Sequence, residues 1–524
     1  MLFGWGRMPS FLLNFIPNKD GIAMSMFVLY GSAAAAGMLP LYLRAPSGER
    51  LPSGGKVPKA VLQWGVPPQD AQALFLLNPL KGLIRAGHSR TCREFWRQNG
   101  MRAASGNEEW VNQFQVAVFQ LDALAVWTKA GVSALVPAGG GARATGRRKQ
   151  LPGPVSGGTG GWRELPPEEQ EAYHIRRAKR DAVRAVYALG LSTGLVRVGV
   201  NREGNTVLIG LDPCPALDDR LAELFAGAIN RYAEKLEEAE RTEGIWQSGA
   251  VLPAGVRLGA DPEFVLRRPD GGFVPANRFL EKAGTVGCDA VVLSRDRVIH
   301  PLAELRPRPC GTPGELVREL YRTMRQAARQ IPDVSLAWLA GSMPGKGLST
   351  GGHVHISGVW LHHHLLRALD NYVALPLVLA EGEAAGQRRP KYGFLGDVRR
   401  KRHGGFEYRT LPSWLANPEL ALAVLTLVHT VALHYRELRQ TPLDQLDIQR
   451  AYYNGDKAQL LPVVRKLWED LERLPAYRRS KGTMDVFRDR LFRMEGWDEQ
   501  ADFRIPWKIP PYQEKAATHP AFVL

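Results

Sequence analysis

The chain has 524 residues, enough for roughly two to four domains at about 100–200 residues each. Hydrophobic residues make up 45% and charged residues 23%, which excludes wholesale disorder and any need for disulfide staples. Lys and Arg number 68 against 52 Asp and Glu, and the formal charge of +16 points to an anionic partner without choosing among nucleotide, acidic peptide, nucleic acid and membrane surface. The four cysteines, Cys92, Cys214, Cys288 and Cys310, form no CxxC pair. That indicates neither a disulfide framework nor a thiolate zinc site, fits a reducing compartment, and gives the expectation of a cytoplasmic protein.

In chain order, residues 1–20 make a poor secretion signal, because Pro9, Pro17 and Asp20 interrupt them. Residues 21–43 carry no charge and are long enough to span a bilayer, but Gly21, Gly31, Gly37 and Pro40 favour a buried strand–turn unit. Residues 138–161 are rich in Gly, Pro and Arg and read as a flexible loop, with 142–150 exposed. The periodicity predicts helices over 168–189, 218–240, 314–331 and 418–437. Residues 196–212 read as a hairpin around Asn201-Arg202-Glu203-Gly204-Asn205. A second boundary falls at 241–256, and the tail after about residue 498 is expected to wrap over the surface.

Four short segments of the second half share one pattern. Asp261 and Glu263, Glu304 and Arg306, His353 and His355, and Glu407 and Arg409 are each two residues apart among strand-forming neighbours. Residues i and i+2 share one face of a strand. Four strands offering such groups to one face make a poor core layer and a good wall for a metal–phosphate site. Carboxylates and imidazole hold Mg²⁺ or Mn²⁺, and guanidinium groups stabilise phosphoryl oxygens. Blander readings stand beside this one: a turn cap at Asp261, ion pairs at Glu304–Arg306 and Glu407–Arg409, and histidines satisfied within a strand. The His362-His363-His364 run reads as a solvated cluster, because adjacent histidines diverge. Pro344-Gly345-Lys346-Gly347 reads as a plain turn. The basic run 399–402 is either a solvated face or a contact for an anion.

Two resemblances follow from these residues. In residues 60–240, the segments FLLNPLKGLIRAGHSRTCREFWRQNGMRAA (75–104), VNQFQVAVFQLDALAVWTKAG (111–131) and RAVYALGL…VLIGLDPCPALDDRLAELFA (184–226) resemble, in order, pieces of an ATP-grasp module. The departures imply that it is degenerate. Arg197 and Gly210 stand where the pattern has acidic residues, Asp212 is a solitary ligand, and Gln113-Phe114-Gln115 replaces a charged triplet. Residues 257–415 resemble the phage-type COOH–NH2 ligases, a branch of the glutamine synthetase-like carboxylate–amine ligases. The motifs are GADPEF, ELRPRP, GGHVHIS, YGFLGDVR and HGGFEYRTLPSWL.

The second resemblance implies that Asp261, Glu263, Glu304, His353 and Glu407 are metal ligands. It implies that His355 lies nearer the nucleotide, that Arg409 contacts the phosphoryl group, and that Arg399 and Arg389 bind nucleotide. Glu281 and Asp289 are possible further carboxylates outside the matched motifs. The implied cofactors are ATP and Mg²⁺ or Mn²⁺, and the implied partners are a carboxylate and an amine from an amino acid, peptide or protein. Nucleic acid is not expected, and residues 21–43 leave a membrane open.

The expected fold is α+β. A degenerate α/β ATP-grasp-like region (1–240) and a linker (241–256) precede a glutamine synthetase-like curved antiparallel sheet with outer helices (257–440), followed by a C-terminal helical extension and tail (441–524). The expected activity is ATP-dependent amide or peptide bond formation through an acyl phosphate. The alternative is a non-catalytic binding or scaffold protein for an anionic partner.

Overall fold

The computed structural model describes residues 25–32, 37–52, 57–65, 73–106, 108–129, 161–243, 255–292, 298–402 and 404–511. Nearly all of the 138–161 loop, most of the 241–256 boundary and the end of the tail lie outside them. Strands β1 (Met26–Tyr30), β2 (Ser47–Gly48), β3 (Ala60–Trp64) and β4 (Phe75–Leu77) form a parallel sheet ordered β2-β1-β3-β4. Their apolar runs suit a sheet buried on both faces. Val28, Leu62 and Trp64 join the main core, while Phe27, Leu29 and Val61 form a small cluster on the other side. The uncharged 21–43 stretch thus supplies a buried strand and one helical turn at Leu39–Tyr42. Among the described residues no helix is long and apolar enough to cross a membrane.

Asn78, with φ +53°, turns the chain from β4 into helix α1 (Leu80–Gly87), which is followed by α2 (Ser89–Gln98). The Asn78 side chain accepts from the amides of Ser192 (2.8 Å) and Thr193 (3.1 Å), so the turn is tied to the next sheet. That sheet is antiparallel, ordered β7-β6-β5-β8-β9. It comprises β5 (Asn112–Phe119), β6 (Asp122–Lys129), β7 (Trp162–Glu164), β8 (Thr193–Val200) and β9 (Thr206–Asp212). The 196–212 hairpin is β8–β9, and the first two predicted helices are α3 (Tyr173–Ala188) and α4 (Asp219–Glu243). Strand alternation gives this sheet an apolar face, with Phe114, Val116, Val196 and Val198 packed on Ala178, Ala182 and Ala185 of α3.

The third sheet runs β12-β13-β10-β15-β17-β16 with antiparallel pairing, and two short strands add to β10. Its members are β10 (Arg257–Arg267), β11 (Phe273–Val274), β12 (Val286–Val292), β13 (Val298–Leu305), β14 (Ala337–Leu339), β15 (Gly352–Ser357), β16 (Val398–Arg400) and β17 (Phe406–Tyr408). Central β10 changes partner along its length. Residues 257–262 pair with β15 and residues 265–267 with β14. Pro262, which has no N–H to give a ladder, sits where the change occurs. One face carries Leu258, Ala260, Phe264, Ala303, Leu305, Val354, Ile356, Phe406 and Tyr408 into the main core. Each large apolar side chain buried there contributes about 1.5–3 kcal/mol.

Helices cover that apolar face. Thr312 caps α5 (Pro313–Gln330) by accepting from the Glu315 amide, and Leu316, Leu320 and Met324 point into the core. The short α6 (His363–Leu369) follows β15, and α7 (Pro418–His434), capped by Asn417, is apolar on most sides and correspondingly buried. The fold is therefore α+β. The two halves share one core and are cross-linked by buried polar contacts. Tyr187 donates to Asp370 (2.8 Å), Arg367 to the Leu191 carbonyl (2.8 Å), and Asn99 to Gln449 (2.8 Å) of α8 (Leu446–Asn454).

The histidine run departs from expectation. His362 and His363 are buried rather than solvated. Adjacent side chains do diverge at the start of α6, but aromatic rings close on each direction. Phe75 meets His364 at 4.8 Å, Trp360 meets His362 at 4.7 Å, and Tyr187 meets His363 at 5.2 Å between centroids. Burial holds all three imidazoles below their ordinary pKa, His364 at about 3.

Candidate functional site

The register of the third sheet assembles the i, i+2 pairs into one surface. Asp261 of β10 stands opposite His353 of β15, and Glu263 opposite Glu304 of β13. On the other flank His355 stands opposite Glu407 of β17, and Glu407 opposite Arg399 of β16. Residues directly across a ladder share a face, so these groups all lie opposite the apolar side. Glycines keep the surface open. Gly259 faces His355, and a Cβ at Gly287 would collide with the Arg306 guanidinium.

Asp261, His355 and Glu407 each offer a ligand atom, and these three atoms lie within 4.8 Å of one another. His355 Nε2 is 2.8 Å from Asp261 Oδ2, and His353 Nδ1 is 3.5 Å from both Asp261 Oδ1 and Glu407 Oε1. Asp261 Oδ1 is nevertheless buried with no partner nearer than His353 Nδ1 at 3.5 Å. Buried polar atoms left in that condition are costly unless something else binds them. Two carboxylates and an imidazole are the donor set of a divalent cation such as Mg²⁺ or Mn²⁺, so the residues fit a metal ion.

The remaining acids form an adjoining group. Glu263 accepts from the Gly351 amide (2.7 Å), and Glu304 is held by Arg306, which also donates to the carbonyls of Lys282 (3.0 Å) and Gly284 (3.1 Å). Burial raises the pKa of Glu263, and burial together with the charge of Asp261 pushes Glu304 up to about 8 despite Arg306. Burial would also raise Asp261, but the hydrogen bonds and charge of His353 and His355 hold it well below the carboxylate range. His353 is raised, because Asp261 and Glu263 outweigh its burial. A cluster that so distorts its own protonation is one in which added positive charge is favourable.

Cations rim the site on the β16–β17 side. Around Glu407, whose side chain is 1% exposed, stand Arg409 (3.0 Å), Arg399 (3.4 Å) and Lys401 (2.5 Å). Arg399 is 55% exposed and so lies at the mouth. Arg389 does not join them. Its buried guanidinium pairs with Glu381 (2.7 Å) and lies over the Tyr452 ring, which is a structural placement. Glu281 and Asp289 are exposed, although the Asp289 charge reaches Glu263. The histidines also divide differently from expectation, with His355 rather than His353 completing the closest group.

Two residues were missed. Lys401 was only part of a basic run, and Asp397 was quoted within a motif without a role. Asp397 is opposite Arg409, whose amide donates to its carbonyl (2.9 Å). Burial raises its carboxyl pKa, against the pull of Arg409 and His353. Asp397, Arg399 and Lys401 are spaced i, i+2, i+4, the same signal that marked the other four strands.

Residues 258–509 match the model of the family described as phage phiEco32-like COOH.NH2 ligase-type 2. Comparison with curated proteins gives no match. Among solved structures, a bifunctional glutathione synthetase from Pasteurella multocida aligns at 12% identity and TM-score 0.34, over 52% of this chain and 54% of that one. The chain thus spans about half the length of that relative. The macrocyclase MdnC from Microcystis aeruginosa MRC, bound with precursor peptide MdnA, aligns at 8% identity and TM-score 0.25, over 40% of this chain and 99% of its own. The ATP-grasp ligase PsnB, complexed with minimal precursor, aligns at 10% identity and TM-score 0.26, over 41% and 100%.

Proposed function

With residues 258–509 matching a COOH–NH2 ligase family, we propose that this protein joins a carboxylate to an amine at the expense of ATP, through an acyl phosphate, on the polar face of the third sheet. One observation carries the reading: Asp261, His355 and Glu407 converge within 4.8 Å beside a rim of guanidinium groups. Asp261, Glu407 and His355, with His353 beside them, would hold Mg²⁺ or Mn²⁺, and Glu263 and Glu304 would border a second position. The bound ion would supply neutralisation of phosphate charge.

The chain's own groups do the rest. Arg409 and Arg399 donate to the oxygens of the transferring phosphoryl group, where negative charge accumulates. A substrate carboxylate oxygen forms a bond to the γ-phosphorus as the bond to ADP breaks. The amine nitrogen then bonds to the acyl carbon, phosphate departs, and the nitrogen's proton passes to a base. The raised pKa of Asp397 and its place beside Arg409 make it the nearest candidate for that base. Holding both substrates and nucleotide on one rigid sheet supplies much of the rate. In this reading residues 257–440 carry the chemistry, and the C-terminal helices share their core.

The test is release of ADP and phosphate by the full-length protein with ATP, Mg²⁺ or Mn²⁺, and pools of amino acids and short acidic peptides. Release that requires both a pool and Glu407 supports the reading. Absence of both release and metal-dependent ATP binding overturns it in favour of a binding protein for an anionic partner.

A further inference from the structure

A pocket lies away from the third sheet's acidic surface, in the N-terminal half. It is a cavity of about 430 Å³ between α2 and the β5–β8–β9 strands, within the usual size range for a small-molecule site. Its chemistry is the reverse of the acidic surface. Arg93 of α2 and Arg197 of β8 both line it, and neither guanidinium has an ion-pair or hydrogen-bond partner among the described residues. Arg197, Gln115 and Gly210 stand in one row across β8, β5 and β9. The glycine matters, because a Cβ at 210 would come to 3.2 Å from the Arg197 guanidinium, which lies across that position.

The lining holds one carboxylate, Asp212, and its Oδ1 is occupied by the Cys214 amide at 3.0 Å. Cys92 also lines the cavity; its thiol donates to the Arg85 carbonyl (3.2 Å), and burial pushes it up to about 11, so it adds no negative charge at neutral pH. Trp96, Leu195 and Leu211 supply apolar wall. Two guanidinium groups against one committed carboxylate repel a divalent cation and attract an anion. The apolar wall calls for a ligand that is not charge alone.

We propose that this cavity binds, without metal, a small carboxylate with an apolar body, such as an acylated apolar amino acid or the C-terminus of a peptide. Arg93 and Arg197 hold the carboxylate, and the body lies against Trp96 and Leu211. The proposal is independent of catalysis on the third sheet.

The experiment is calorimetric titration of the full-length protein in EDTA and without nucleotide, using N-acetyl-leucine, N-acetyl-leucinamide, a Leu-terminated tripeptide and inorganic phosphate. The acid is expected to bind, and the amide at least about tenfold more weakly, the cost of losing charge-assisted hydrogen bonds. Arg197→Gln and Arg93→Gln should each weaken the acid about tenfold. Gly210→Glu should remove binding by giving Arg197 an internal partner, with an unchanged thermal transition showing that each variant folds. The tripeptide binding more tightly than N-acetyl-leucine would assign the ligand to a peptide terminus, and the reverse to a free acid. No binding of either acid, equal binding of acid and amide, or binding of phosphate alone would overturn the proposal.

Discussion

The second and third sheets are built alike and do opposite things with charge. Both are antiparallel, and both turn an apolar face to helices. On the third sheet the other face carries Asp261, Glu263, Glu304 and Glu407 with two histidines. On the second, the corresponding row is Gln115, Arg197 and Gly210, with Asp212 alone beyond it. The backbone ladder is indifferent to this choice. A divalent ion needs several oxygen donors converging on one point, and only the acidic face provides them. The comparison teaches that strand alternation creates a functional face, while the sign of its charge decides what it can hold.

The largest effect that would break the comparison is on turnover. Glu407→Gln should lower ADP release by at least about a hundredfold, because it removes a donor from the convergent group. Circular dichroism should be unchanged. A variant that kept full turnover would place the chemistry elsewhere.

The next effect separates two arginines that sequence treated as alike. Glu381→Ala strands the buried Arg389 charge and should cost about 3–5 kcal/mol in chemical denaturation. Arg399→Ala, at an exposed position, should change stability by less than about 0.5 kcal/mol while lowering turnover. Equal stability losses would contradict the structural placement of Arg389.

A smaller effect probes how the second sheet's helix supports the third sheet. Tyr187→Phe leaves one Asp370 oxygen without its hydrogen bond, while Tyr408 (2.7 Å) keeps the other. The expected cost is about 1–3 kcal/mol, read as a lower denaturation midpoint.

A last effect, absent at neutral pH and read only in acid, is in pH dependence. The buried histidines are neutral when folded, with pKa values below the unfolded 6.5 and His364 at about 3. The unfolded chain therefore binds more protons in acid. Their contribution is fully present above pH 6.5 and is lost as pH falls toward 3. Replacing His362 and His364 together with Phe should flatten stability over that window, measured as denaturation midpoint against pH.

Much of the acidic face was legible in sequence, because i, i+2 alternation is a local property and four strands repeated it. The signal also ran through Asp397, Arg399 and Lys401, where a basic run hid the alternation. Pairing between strands is not local. Hence nothing in the sequence said that His355 rather than His353 would complete the closest group. Burial is likewise a property of the whole fold: Arg389 and the histidine run both read as accessible until helices and aromatic rings from distant segments closed over them. The helices and the 196–212 hairpin, set by short-range periodicity and turn residues, were readable with small shifts at their ends.

The central claim is that the acidic face of the third sheet holds a divalent ion with nucleotide. It is tested most directly by Mn²⁺ titration of the full-length protein, followed by electron paramagnetic resonance, with and without a non-hydrolysable ATP analogue. The account predicts saturable Mn²⁺ binding that tightens with the analogue and weakens at least about tenfold in Asp261→Asn and Glu407→Gln. Mn²⁺ binding that is absent, or that is unchanged in both variants, would contradict it.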